Sequence, residues 1–180
     1  FDFTVEQNEA LKGVSRMRSL ELLLGFGGMS ECFTEEEKEE MASKKNQIYV
    51  EEISRLKKEE LFDGVPEFFA ELKKRGIKIA LGSASKNAPL ILERLDIKKY
   101  FDVIIDGTLV SKAKPDPEVF EKAADKLGIP YDECVVFEDS AAGIQAAKTA
   151  GMKAVGIGKK ENLPMADMVI ASVDQYIPCL

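Results

Sequence analysis

The alternation of short apolar runs with amphipathic helical windows restricts the fold more than any other feature of this sequence. Runs rich in Ile and Val are followed by segments with apolar residues at spacings of three and four. This alternation is typical of βα repeats, whose nearly continuous apolar strands form a parallel sheet covered by helices on both faces. The strands are predicted at 77–81, 103–105, 135–137 and 154–157, and the helices at 65–75, 88–95, 117–127 and 141–150.

The first third of the chain has a different pattern, because residues 4–61 are helical throughout apart from a glycine-rich break at 25–28. Thr34 with Glu37 has the form of a capping box, which predicts that a helix begins near Glu35. We therefore expect a small helical domain over residues 1–60 and an α/β core domain over residues 61–180. Glycines at the ends of helices support the core pattern, at Gly76, Gly128 and Gly151.

Polar residues follow the first predicted strand, where ligands of parallel sheets bind. Ser83, Ser85, Lys86 and Asn87 supply two hydroxyls, an ammonium and an amide at the start of a helix. Such a segment is suited to hold a phosphate. The alternative is that these side chains only cap the helix, since Ser and Asn are preferred caps whether or not an anion binds.

The next two strand ends add a lysine and a pair of carboxylates. Lys114 stands before Pro115, which stiffens the backbone there, and Glu138 and Asp139 follow a buried apolar strand. Adjacent carboxylates repel each other and lose water, so a hard cation such as Mg²⁺ would stabilise them. The alternative is that Asp139 or Ser140 caps the next helix. The three strand ends together favour a phosphate and metal site.

Composition excludes several other chemistries. The chain has no histidine, which excludes His-assisted nucleophiles and His-ligated zinc, and its three cysteines form no CxxC pair. A net charge of -7 argues against a general nucleic-acid binder, and no apolar stretch is long enough to span a membrane. We expect a cytoplasmic protein that binds neither nucleic acid nor membranes.

The order of these motifs resembles the haloacid dehalogenase superfamily of phosphotransferases, and within it most closely the β-phosphoglucomutase family. The resemblance extends over essentially the whole chain. It rests on residues 83–87, on Lys114-Pro115, on residues 138–143 and on residues 11–16, which are similar to the family's cap signature. The resemblance implies a Rossmann-like core with a helical cap, and interconversion of β-glucose 1-phosphate and glucose 6-phosphate through a phosphoaspartate and a bisphosphate.

The resemblance also implies a role for each candidate residue. Ser83 and Lys114 would hold the phosphoryl group in transfer, and Asp139 would ligate Mg²⁺ with Glu138 alongside. The second, non-transferring phosphate would be bound from the cap and from the core. Its expected ligands are Arg16, Ser85, Lys86 and Asn87, with Lys45 and Asn46 as further cap contacts.

The sequence departs from the family in one respect. The family's nucleophile and its acid/base aspartate lie in an Asp-x-Asp motif at the end of a first core strand, upstream of the cap, and no such motif occurs here. Asp106-Gly107-Thr108 matches only half of the motif and follows the serine motif, so we interpret Asp106 as a loop residue. We expect some 30 further residues to precede Phe1, and the 180 residues alone to be inactive.

Two alternatives stay open for the function. A sugar-phosphate phosphatase of the same superfamily would share every core residue and differ mainly in the cap. A non-catalytic relative would only bind sugar phosphates. In each case the expected partner is a small sugar phosphate, and we expect a monomer.

Overall fold

The computed structural model describes residues 1–180 as an α/β fold with parallel strands and packed helices, which confirms the predicted fold class. The helices are α1 Val5–Glu9, α2 Arg16–Phe26, α3 Glu35–Ile53, α4 Val65–Lys74, α5 Ala88–Arg94, α6 Glu118–Leu127 and α7 Ala141–Thr149. The strands are β1 Ala80–Gly82, β2 Val103–Ile105, β3 Val135–Glu138, β4 Lys153–Ile157 and β5 Met168–Ile170. Short 3-10 turns lie at Lys58–Glu60, Lys98–Tyr100, Tyr131–Glu133, Lys160–Asn162 and Val173–Cys179.

The N-terminal third contains only helices, and the capping residues in the sequence determine where they begin. Thr34 and Glu37 form the predicted capping box, so α3 starts at Glu35 as expected. Ser15 accepts a hydrogen bond from the Arg18 amide and caps α2. No helix is both long enough and apolar enough to cross a bilayer. The predicted domain boundary between residues 60 and 61 stays a prediction.

The strands form two parallel sheets. One contains β1 and β2, with Ala80 opposite Val103, and the other has the order β3, β4, β5. No backbone hydrogen bond joins β1 to β3. Both sheets nevertheless contribute to one site, because the Lys114 side chain contacts the carboxyl ends of β1 and β3.

The helices bury the strands against two apolar clusters. The larger one joins α6 and α7 to the strands and includes Ile105, Phe120 and Ile144. The smaller one packs α4 and the C-terminal turn around Phe68 and Phe137, whose ring centroids are 5.2 Å apart. These clusters hold the strand ends in place under the loops that carry the polar residues.

The sequence prediction differs from the structure in two strands. The first strand begins at Ala80 rather than at residue 77, because the Asp102 carboxylate accepts the Ile79 amide where a strand ladder would. The edge strand β5 was not predicted, because it has only three residues in a segment rich in turns. The other predicted strands and helices of residues 61–180 agree with the structure to within one residue at each end. In the N-terminal region, which was predicted to be helical apart from 25–28, residues 10–15, 27–34 and 54–57 lie outside the helices.

Candidate active site

The loop after β1 holds two serine hydroxyls in successive turns. The Ser83 hydroxyl accepts the Ser85 amide at 3.1 Å, and the Ser85 hydroxyl accepts the Asn87 amide at 3.1 Å. Each hydroxyl therefore keeps its own O–H free to donate to a ligand. The Ser83 amide bonds to the Ile105 carbonyl, which anchors the loop to the neighbouring strand.

The Asn87 side chain connects this loop to the cap helices. Asn87 Nδ2 donates to Asn46 Oδ1 at 2.8 Å, and Arg16 Nη2 donates to the same oxygen at 2.7 Å. Asn87 does not cap α5 with its side chain, so the helix-capping alternative fails for that residue. The structure thus brings Arg16 and Asn46 of the N-terminal helices together with Asn87 of the core.

Lys114 lies between the two sheets, with its side chain only 5% exposed. Its ammonium donates to the Gly82 carbonyl at 3.0 Å and pairs with Glu138. It also lies 4.6 Å from the centroid of the Phe120 ring, a cation–π geometry. The peptide bond between Lys114 and Pro115 is cis.

Glu138 is engaged through both carboxylate oxygens. One pairs with Lys114, and the other accepts the Ser140 hydroxyl at 2.9 Å. Ser140 also caps α7 by accepting the Gly143 amide, as the capping alternative predicted. Position 143 requires a glycine, because an added Cβ would collide with the Glu138 carboxylate. The Glu138 carboxylate, at the end of β3, is therefore packed against the first turn of α7.

The neighbouring Asp139 is the freer carboxylate of the pair, with a side chain 64% exposed. No group of three or more His, Cys, Asp or Glu side chains in the chain is arranged so that it could hold a metal ion. Asp139 fits a hard cation as a ligand, because carboxylate oxygens suit Mg²⁺ and its own are open to solvent. The chain's own carboxylates here make up only part of a usual ligand set.

A loop of the N-terminal region touches the core at the same place. Lys12 Nζ lies 3.9 Å from Asp139 Oδ2. Gly13 has a φ of 72°, and an added Cβ there would meet the Ser140 side chain. Both residues belong to the 11–16 motif, and no role was predictable for them because their partners lie far away in the chain.

Two other candidates, and Asp106, have simpler surroundings. Lys86 and Lys45 are exposed and make no ion pair. Asp106 follows β2 and accepts the amide and hydroxyl of Thr108 at 2.8 and 2.6 Å. The interpretation of Asp106 as a loop residue is therefore confirmed.

The arrangement combines free hydroxyls, a buried ammonium and a carboxylate open to a cation at one edge of the sheets, which suits phosphoryl binding. The profile of the haloacid dehalogenase-like hydrolases matches residues 2–151. The chain belongs to this family. The fold and the order of the strand-end residues agree with that membership.

Two curated proteins with sugar-related names are similar to the chain. The β-phosphoglucomutase of Bacillus subtilis is 45% identical over 168 residues, which are 93% of this chain and 74% of that protein. The phosphorylated carbohydrates phosphatase of Thermotoga maritima is 32% identical over 155 residues, 85% of this chain and 68% of that protein. The relatives thus include both a mutase and a phosphatase.

A solved structure agrees with the first of these. The crystal structure of β-phosphoglucomutase from Clostridium difficile has a TM-score of 0.89 and 41% identity, covering 97% of this chain and 78% of that one. The predicted resemblance to the haloacid dehalogenase superfamily, and to β-phosphoglucomutases within it, is confirmed. The roles of the individual site residues stay predictions.

Proposed function

We propose that this chain provides the cap and most of the core of a β-phosphoglucomutase, which interconverts β-glucose 1-phosphate and glucose 6-phosphate through a bisphosphate. The observation that carries the proposal is the hydrogen-bonded group Arg16, Asn46 and Asn87. It adds a second anion-binding position, assembled from cap and core, to the Ser83 and Lys114 position. A mutase needs two such positions because its intermediate carries two phosphates.

At the first position the chain's own residues bind and orient the phosphoryl group in transfer. The Ser83 hydroxyl donates to one of its oxygens, and the Lys114 ammonium offsets its negative charge. Asp139, with Glu138 alongside, would hold Mg²⁺, whose chemistry there is further neutralisation of the phosphoryl oxygens. Glu138 also keeps the Lys114 ammonium paired when no phosphoryl group is present.

At the second position Arg16, Ser85, Lys86 and Asn87 bind the phosphate that is not transferred. The guanidinium group suits this task because it donates two parallel hydrogen bonds to phosphate oxygens. Lys45 and Asn46 provide further contacts from the cap. The approach of Lys12 and Gly13 to Asp139 and Ser140 helps to exclude water, which protects a phosphoenzyme from hydrolysis.

The transfer step needs a nucleophile that these 180 residues do not supply. Asp106 is held by Thr108, Glu138 is paired, and Ser83 has no activating base beside it. We infer that an aspartate outside residues 1–180 forms the phosphoaspartate. The unpaired edges of β1 and β3 support this inference, because the carboxyl ends of both strands contact Lys114 and a strand between them would end beside it.

We further propose a monomeric, cytoplasmic enzyme, in keeping with its three free cysteines. A sugar-phosphate phosphatase is the second candidate, favoured by the similarity to the Thermotoga maritima protein. A protein that only binds sugar phosphates is the third.

Phosphorus NMR of the protein with β-glucose 1-phosphate, Mg²⁺ and a trace of glucose 1,6-bisphosphate separates the candidates. The proposal predicts glucose 6-phosphate in a polypeptide that contains the aspartate, and no turnover by the 180 residues alone. Release of inorganic phosphate as the main product would favour the phosphatase. Binding of the bisphosphate without turnover in every form of the protein would favour the binding-only alternative.

A further inference from the structure

The Glu118 side chain is bonded to the loop that carries Lys114, although it is not part of the proposed site. Glu118 is the first residue of α6. Its Oε2 atom accepts the Ser111 amide and hydroxyl, both at 2.9 Å, and the Lys112 amide at 2.7 Å. One carboxylate oxygen thus fixes the backbone of the two residues at the start of the Lys114 turn.

The other oxygen of Glu118 ties the loop to α6 by a second route. It accepts a hydrogen bond from Lys122, whose ammonium also donates to the Leu109 carbonyl at 2.8 Å. The Lys122 ammonium and the amides of Lys112 and Ser111 lower the pKa of Glu118 to about 2. Glu118 therefore stays ionised, which strengthens each hydrogen bond that it accepts.

The far side of the loop is fixed as well. Asp116 accepts the Glu118 amide at 3.0 Å, and its other oxygen lies 3.3 Å from Lys112 Nζ. The Asp116 amide donates to the Ala113 carbonyl. Lys114 therefore stands between two points of the backbone that are both anchored to the start of α6.

Phe120 of the same helix also contacts the Lys114 side chain. Phe120 lies two residues after Glu118, and its ring faces the ammonium at 4.6 Å. Gly82 allows this arrangement, because an added Cβ there would meet the Phe120 ring at 2.8 Å. A shift of the loop against α6 would separate the ammonium from both the ring and the Gly82 carbonyl.

We propose that Glu118 is a positioning residue for Lys114: its carboxylate locks residues 111 and 112 to α6, so that the Lys114 ammonium stays between the ends of β1 and β3. The consequence for phosphoryl binding rests on the proposed function. The positioning itself does not.

The test measures acylation of individual lysines by mass spectrometry. Lys114 is 5% exposed and reacts slowly, whereas Lys159 is exposed, makes no ion pair and serves as the fast internal reference. In Glu118→Ala we expect the Lys114 rate to rise at least about tenfold, because the carboxylate loses four hydrogen bonds, three of which come from the loop. Glu118→Gln keeps a carbonyl oxygen for these donors and should retain most of the protection.

Glu121→Gln is the matched control, since Glu121 also lies in the first turn of α6 and holds no part of the loop. It should label as the wild type does. An unchanged Lys114 rate in Glu118→Ala would overturn the proposal, and so would an equal rise at every lysine, which would indicate general loosening. A selective rise at Lys114, restored by Gln, supports it.

Inorganic phosphate separates this proposal from the proposed function. Added phosphate should slow Lys114 labelling in the wild type if Lys114 binds the phosphoryl group, and should do so less in Glu118→Ala. If phosphate does not protect the wild type but Glu118→Ala still exposes Lys114, the role of Lys114 in the proposed function is wrong and the positioning by Glu118 stands.

Discussion

Lys114 and Glu138 form a buried ion pair at the candidate active site. Their side chains are 5% and 10% exposed. Removal of two charges from water is costly, and the pair persists because the Gly82 carbonyl and the Ser140 hydroxyl provide further hydrogen bonds. Glu138 thus holds the Lys114 side chain in position before an anion arrives.

Replacement of Lys114 by Met should therefore destabilise the fold. The variant leaves the Glu138 carboxylate buried without its cation, which costs about 3–5 kcal/mol of unfolding free energy. Urea denaturation measures the loss. In the double variant Lys114→Met/Glu138→Gln most of the stability should return, while phosphate binding stays absent. If Lys114→Met alone is as stable as the wild type, the two side chains are not coupled energetically.

Residues at strand ends were predictable from the sequence, whereas their partners were not. Ser83, Lys114 and Glu138 follow apolar runs, and parallel strands bring such positions to one edge. The contact of Phe120 with Lys114 and that of Gly13 with Ser140 join segments far apart in the chain. No local pattern records such contacts, so they needed the fold.

The two sheets share a structural unit in which an aspartate replaces part of the strand ladder. Asp102 precedes β2 and accepts the Ile79 amide at 2.8 Å, and Lys73 of α4 lies 3.0 Å away. Asp167 precedes β5 and accepts the Ala154 amide at 2.8 Å, with Lys148 of α7 as its cation. Each aspartate thus joins a helix, a strand and the next strand.

The spacing of this unit repeats in the sequence. Lys73 and Lys148 each stand three residues before the glycine that ends the helix, Gly76 or Gly151. The amide bound by the aspartate follows that glycine by three residues in both units.

These two aspartates predict a dependence of stability on pH. The hydrogen bond from the Ile79 amide is the largest cause of the lowered pKa of Asp102, and the Lys73 ammonium lowers that pKa further. Lys148 and then the Ala154 amide lower the pKa of Asp167. Their contribution is therefore complete above the ordinary value of 3.8 and is lost as the pH falls through the lowered pKa.

The double variant Asp102→Asn/Asp167→Asn should be less stable than the wild type near neutral pH, by about 1 kcal/mol for each site. The difference should shrink as the pH falls below about 3.8, because protonation removes the charges from the wild type as well. Urea midpoints at several pH values test this. Asp132→Asn, at an exposed turn, is the control, and a difference that grows toward acid pH would contradict the assignment.

The whole molecule differs from the prediction in the division of its parallel sheet. The apolar runs predicted the parallel strands correctly, but strand order and the separation between β1 and β3 are properties of the assembled chain. Both of these strands have an unpaired edge. Only β4 is hydrogen-bonded to a strand on each side.

Hydrogen exchange should reflect this topology. We expect the amides of β4 to exchange at least about tenfold more slowly than the unpaired edge amides of β1 and β3, because exposed backbone groups open at low cost. Exchange measured by NMR at single residues tests the difference. Uniformly slow exchange along β1 and β3 would mean that their edges are covered.

The proposed mutase activity depends on two anion positions, one at Ser83 and Lys114 and one that the cap completes through Arg16. The most direct measurement is calorimetric titration of the protein with glucose 1,6-bisphosphate in the presence of Mg²⁺. Arg16→Ala should weaken binding at least about tenfold, since a hydrogen bond to a charged group is worth about 1.5–3 kcal/mol.

Arg18→Ala is the control: it removes an arginine of the same helix that pairs with Glu21, and it should bind the bisphosphate as the wild type does. Equal affinity of Arg16→Ala and the wild type would contradict the account, because the cap would then hold no phosphate.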